Sequence, residues 1–149
     1  MLSIEKQRLT KTIRQFCARG YQLYDTGDYQ GALRLFYQGW LAVPKPQTDW
    51  TEAGWVLTAI GDCYFRLGRY RQGCEALTSA LCCPGMHRAP FAYLRLGQCL
   101  CELDEATKAR HALYQAYQLA SLDVFQGEHE KYQQIISDLV AESPDREPQ

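Results

Sequence analysis

The chain has 149 residues, of which 46% are hydrophobic and 22% charged, enough for one globular domain that buries roughly two thirds of its unfolded surface without a metal or disulfide. Sixteen Lys and Arg against seventeen Asp and Glu leave a formal net charge of −1, which argues against a nucleic-acid binder with a basic footprint and against an anionic membrane surface as the main partner. The stretch Met1 to Arg8 is charged where an export signal needs an apolar core, no apolar run approaches the ~20 residues of a bilayer span, and the seven cysteines are an odd number, so the expectation is a cytoplasmic protein with reduced, buried thiols.

Apolar residues recurring every three to four positions predict an all-α chain, with helices near 4–26, 29–43, 49–67, 70–83, 88–102, 105–121 and 128–142. Between the second and third, Pro44-Lys45-Pro46-Gln47-Thr48-Asp49-Trp50 is a connection that cannot continue a helix. Pro84-Gly85-Met86-His87-Arg88-Ala89-Pro90 does the same before the fifth. The last segment carries Tyr132, Ile135, Ile136, Leu139 and Val140 as an apolar set suited to capping the end of a stack. The tail from Ser143 to Gln149 has the composition of a disordered terminus.

Three segments align when Gly20, Gly61 and Gly97 are taken as anchors. Four places before each stands Phe16, Leu57 or Tyr93, and three after stands Leu23, Tyr64 or Leu100. Seven after come Gly27, Gly68 and Asp104, residues suited to a helix stop. Twelve after come the small Ala32, Gly73 and Ala109; sixteen after, Phe36, Leu77 and Leu113; nineteen after, Gly39, Ala80 and Ala116. These columns describe a helical hairpin used three times, with the glycine where the second helix comes close and large residues filling the space between.

The turns Asp25-Thr26-Gly27-Asp28-Tyr29 and Arg66-Leu67-Gly68-Arg69-Tyr70 complete a pattern that resembles the tetratricopeptide repeat family over about residues 13 to 121. The third unit departs from it, with Asp104 and Ala106 in place of the turn's glycine and tyrosine. The resemblance implies a right-handed superhelical solenoid of about seven helices in a single domain over 1–142. Its repeats would span about 13–46, 54–87 and 90–121, with a capping helix over about 128–142 and a disordered tail over 143–149.

In such a stack the first helix of each hairpin lines the concave side. Positions six and three before and one, four and five after each glycine share that face. The candidate partner-binding residues are therefore Arg14, Cys17, Tyr21, Tyr24 and Asp25 in the first unit. In the second they are Trp55, Thr58, Asp62, Phe65 and Arg66. The third contributes Phe91, Leu94, Gln98, Cys101 and Glu102, with Arg95 beside them. Aromatic rings mixed with charge are the composition of an interaction surface. Family members that clamp the acidic C-terminal tails of chaperones have a Lys three before the first glycine and an Asn one after; Cys17 and Tyr21 stand there instead, so that role is not implied.

Chemistry is not indicated. Cys82-Cys83 with His87, and Cys99 with Cys101, lack paired metal-ligand spacing. Cys63 and Cys99 share a repeat column, two after the glycine, which points to packing. Gly127-Glu128-His129-Glu130-Lys131 lacks the second histidine of a zinc-protease helix, and no nucleophile elbow, phosphate loop or dinucleotide fingerprint occurs. Arg66, Arg69 and Arg71 form a basic cluster suited to an acidic protein loop or to solvent. The expectation is a non-catalytic protein-binding module without cofactor, metal, nucleic acid or membrane, whose output is occupancy of a dedicated partner. Small bacterial repeat proteins of this type resemble two such roles: immunity proteins that block a cognate toxin or effector, the reading preferred from sequence, and secretion chaperones for hydrophobic translocators. A general adaptor is the third alternative. Pro90-Phe91 resembles the secretion-chaperone group, whereas the long Pro44 to Trp50 connection departs from it.

Overall fold

The helices begin and end where the side chains dictate. In the computed structural model, which describes residues 3–141, the Ser3 side chain accepts from the Lys6 amide to start α1 (Ile4–Asp25), and Asp28 accepts from the Gly31 amide to start α2 (Tyr29–Ala42). The other helices are α3 (Thr51–Arg66), α4 (Tyr70–Leu81), α5 (Pro90–Glu102), α6 (Ala106–Ala120), α7 (Glu130–Gln134) and α8 (Ser137–Ala141). Proline opens α5, where the missing amide costs no helical hydrogen bond. The two connections expected to be irregular each contain one 3-10 turn, Gln47–Asp49 and Met86–Arg88.

The three hairpin turns share one geometry. Gly27, Gly68 and Asp104 all have left-handed φ, +87°, +73° and +61°. In each turn the following amide reaches back to the carbonyl three after the repeat glycine: Asp28 to Leu23, Arg69 to Tyr64 and Glu105 to Leu100, at 2.9 to 3.0 Å. This is the six-to-one hydrogen bond that closes a helix C-terminus on a left-handed residue. Asp104 adopts the glycine's conformation although it carries a Cβ.

The repeat columns also explain the packing. A Cβ on Gly20 would lie 2.3 Å from the Phe36 ring, one on Gly61 2.4 Å from Leu77, and one on Gly97 2.6 Å from Leu113. The large residue sixteen positions on therefore sits directly upon each glycine. Phe36, Leu77 and Leu113 are fully buried. The small residue twelve positions on serves the neighbouring hairpin as well: a Cβ on Gly73 would stand 2.8 Å from the sulfur of Cys99 in α5.

α1 packs on α2, α3 on α4 and α5 on α6; α2 also meets α3, and α4 meets α5. The first helices additionally touch along the row α1, α3, α5, so they form the inner layer of the stack. One core runs through the first two hairpins into α5. A second joins Leu94, Leu113 and Ala116 to Phe125, Tyr132 and Ile136 of the C-terminal segment.

That segment corrects the expectation of a continuous helix over 128–142. Two five-residue helices replace it, with the break at Ile135 and Ile136. There the Ile135 and Ile136 amides bond three residues back, to the Tyr132 and Gln133 carbonyls, and Arg110 of α6 braces the start of the next turn. Its guanidinium donates to the Ile135 carbonyl at 3.2 Å while gripping both oxygens of Asp138 at 2.8 and 2.6 Å. The tail expected to be disordered, 143–149, lies outside the described residues.

Candidate functional site on the inner helices

The inner face divides into two halves. In the upper half Arg14, Trp55 and Phe91 occupy equivalent places, six before the three glycines. Arg14 is exposed and its guanidinium lies 5.4 Å from the Trp55 ring centre, a favourable cation–π arrangement. Phe91 keeps 37% of its surface exposed. Cys17 and Thr58 are half-buried beneath them. The Thr58 hydroxyl donates to the Gly54 carbonyl at 2.8 Å. Burial pushes the Cys17 thiol up to about 11, so at neutral pH it is a protonated, unreactive side chain. Asp25 is exposed at the end of α1.

The lower half is filled. Asp62, 1% exposed, accepts from the Tyr21 hydroxyl at 3.1 Å, the Tyr24 hydroxyl at 2.7 Å and Arg95 Nε at 2.8 Å. Arg95 Nη1 donates to Gln98 Oε1 at 2.7 Å and to Glu128 Oε1 at 2.5 Å, and Gln98 Nε2 donates to the same Glu128 oxygen at 2.7 Å. Arg66 Nε donates to the Tyr24 hydroxyl at 2.7 Å. The Arg95 guanidinium is sandwiched between Phe65 and Phe91, 4.7 and 4.8 Å from their ring centres. Among the described residues, no buried side-chain nitrogen or oxygen lacks a partner, which is what allows so many polar groups to be buried together.

Burial alone would lower the Arg95 pKa, but Asp62 and Glu128 outweigh it and hold the guanidinium above its ordinary value. Burial, followed by the Asp62 carboxylate, raises the Tyr21 hydroxyl; burial pushes Tyr24 up to about 12 despite the opposing hydrogen bond from Arg66. Below this network the C-terminal segment continues along the groove. Glu102 Oε1 accepts from the Tyr132 hydroxyl at 2.6 Å and pairs with Lys131 Nζ at 2.6 Å. The hydrogen bonds from Lys131 and Tyr132 hold the Glu102 carboxyl below its ordinary range. The Tyr132 ring meets Phe65 edge-on at 6.3 Å.

The expected inner face is thus assembled, but its members do different work. Asp62, Arg95 and Gln98 are buried in the network, which carries them out of reach of solvent. Leu94, expected in the groove, is 1% exposed and packs into the second core because the C-terminal segment covers it. Cys101 is half-buried against that same core. Arg66, exposed like Arg69 and Arg71, donates to the Tyr24 hydroxyl of the groove. Glu128, Lys131 and Tyr132 were not foreseen as groove residues. The signal for them was a carboxylate and an aromatic four positions apart, close behind Gly127.

Cys63 and Cys99 are both fully buried. Cys74 and Cys99 face each other across α4 and α5, and their mutual interaction lowers Cys74 and raises Cys99. No group of three His, Cys, Asp or Glu side chains among the described residues is placed to hold a metal ion. None of the described helices is long and apolar enough to cross a membrane.

No protein-family model matches the chain, and no curated protein matches it in sequence. Solved structures do. The first tetratricopeptide repeat domain of Spaghetti (RPAP3) bound to an HSP90 peptide superposes with a TM-score of 0.69 at 17% identity, over 87% of this chain and 97% of that one. The Yersinia enterocolitica type III secretion chaperone SycD, in complex with a peptide of the translocator YopD, gives 0.65 at 18% identity, over 88% and 91%. The Sgt2 tetratricopeptide repeat domain from Aspergillus fumigatus gives 0.66 at 15% identity, over 92% and 88%. The fold is therefore the all-α tetratricopeptide solenoid.

Proposed function

We propose that this chain is a non-catalytic protein-binding module that takes an extended segment of a dedicated protein partner into the upper half of its inner face. The observation that carries this reading is the unequal finish of that face. Below, every buried polar side-chain atom among the described residues is matched; above, Arg14, Trp55, Thr58 and Phe91 leave rings and a cation partly exposed along the row of α1, α3 and α5. Aromatic and arginine side chains at the centre of a concavity are the usual anchors of a bound segment. Two of the similar structures hold peptides, RPAP3 an HSP90 peptide and SycD a YopD peptide. Cys17 and Tyr21, the first uncharged and the second already donating to Asp62, offer nothing to a terminal carboxylate, so the partner is not an acidic chaperone tail.

Holding a secreted client in a groove is the finer role that this geometry favours, and the likeness to SycD supports it. Masking a folded toxin, as an immunity protein does, can use any face and needs no open row of rings. Capture from the native host followed by mass spectrometry tests both, comparing the tagged protein with its Arg14→Ala/Phe91→Ala variant. The reading expects one stoichiometric partner lost from the variant, and a peptide scan of that partner yielding one extended segment that binds. A folded partner held equally by both proteins would establish surface masking instead.

A further inference from the structure

The segment between Phe125 and Ile136 covers the lower groove. Its two ends are anchored, Phe125 at 4% and Ile136 at 0% exposure in the second core. Between the anchors, the side chains that enter the groove are Glu128 and Tyr132, with Lys131 reaching across its rim to Glu102. Gly127 precedes them at φ +82°, a conformation that glycine holds without strain, and the break at Ile135 follows them. The segment is therefore bounded on both sides by positions where helix does not continue.

Its polar contacts are also divided in a telling way. If Glu128 leaves, Arg95 keeps Asp62 at 2.8 Å and Gln98 at 2.7 Å, so no buried charge is stranded, and the Gln98 amide that donated to Glu128 is left for water entering the opened groove. Glu128 and Lys131 both regain water, and Glu102 is already partly exposed. Tyr132 also belongs to the second core at 5% exposure, so opening draws its ring off Phe65 and sets the cost of release. From this geometry we infer that Glu128 to Tyr132 is an internal ligand of the lower groove, a latch that opens between its fixed anchors and must be displaced before a partner segment can extend past Phe65. The regulatory consequence rests on the inner face being the partner site; the latch itself does not.

Hydrogen exchange of the full chain, without any partner, tests the latch separately from that reading. The latch expects amides 128–135 to exchange through a local opening, well before those of α5 and α6. Glu128→Gln, which keeps the shape and removes the charge from the bonds to Arg95 and Gln98, should speed exchange of that stretch about tenfold or more. The same substitution should leave α5 and α6 unchanged. Tyr132→Phe, which removes the hydroxyl bonded to Glu102 and keeps the ring on Phe65, should act in the same direction by about threefold. If 128–135 exchange only together with α5 and α6, or if Glu128→Gln accelerates all three regions alike, the segment is part of the cap and the proposal falls. Should the latch be confirmed while groove variants still bind the partner normally, the partner-site reading alone would fail.

Discussion

The upper and lower halves of the inner face are lined by the same three helices and follow the same repeat register, yet they are finished differently. Below Thr58 the helices present Asp62, Arg95 and Gln98, three polar side chains that are almost wholly buried and matched to one another, to two tyrosines and to Glu128. Above it they present Arg14, Trp55 and Phe91, held by packing and cation–π contact with surface left over. Buried charge locks geometry, because each group depends on its partners. Exposed aromatic surface costs little to the fold and favours association. In this molecule the first ties the inner helices together, and the second is the surface we propose for a partner.

The largest expected consequence lies in the lower half. Arg95→Met leaves Asp62 and Glu128 buried without a counter-charge and should lower the free energy of unfolding by about 3–5 kcal/mol. Arg14→Met, the matching change in the upper half, should stay within about 0.5 kcal/mol. Urea denaturation of the two variants breaks the comparison if they are equally stable. Binding should respond the opposite way: Arg14→Ala/Phe91→Ala should weaken partner affinity by about 2 kcal/mol, measured by titration calorimetry, while its stability falls by less than that of Arg95→Met, the loss coming from the Phe91 ring that stacks on Arg95.

A smaller effect sharpens the picture of the third hairpin, against which the proposed latch packs. Asp104→Gly relieves a left-handed residue of its Cβ and should stabilise the protein by about 1 kcal/mol, seen as a raised thermal midpoint. The smallest concerns pH. Glu102 faces Lys131, Tyr132, His129 and Cys101, and its carboxyl is held below the ordinary range mainly by the bond from Lys131. A depressed carboxyl contributes stability that is complete above its unfolded value and lost as pH falls through its folded one. Protection of the latch amides should therefore fade below about pH 4, ahead of the helical circular dichroism of the hairpins. Glu102→Gln should remove that difference.

Much of this was legible in the residue order. Gly20, Gly61 and Gly97, with Phe36, Leu77 and Leu113 sixteen places on, reveal a hairpin because close approach and its filling side chain recur at fixed spacing. Even Asp104 was readable as a turn residue from its column alone, and its φ of +61° agrees. What the order conceals is which polar members of an amphipathic face are paired. Asp62 and Arg95 lie 33 positions apart, as do Arg95 and Glu128, and periodicity carries no information about partners at that distance. The apolar spacing of 128–142 read as one helix for a related reason: the Ile135 carbonyl is taken by Arg110, a residue of another helix 25 positions away, which spacing does not show.

The most direct test of the account is site-specific photocrosslinking in the native host. A photoreactive residue replacing Phe91 sits in the upper half of the inner face, and one replacing Leu41, 78% exposed on α2, sits on the outer layer. The account predicts that the partner crosslinks through position 91 and not through position 41. Crosslinking through position 41 with none through 91 would contradict it and move the interaction to the outer helices.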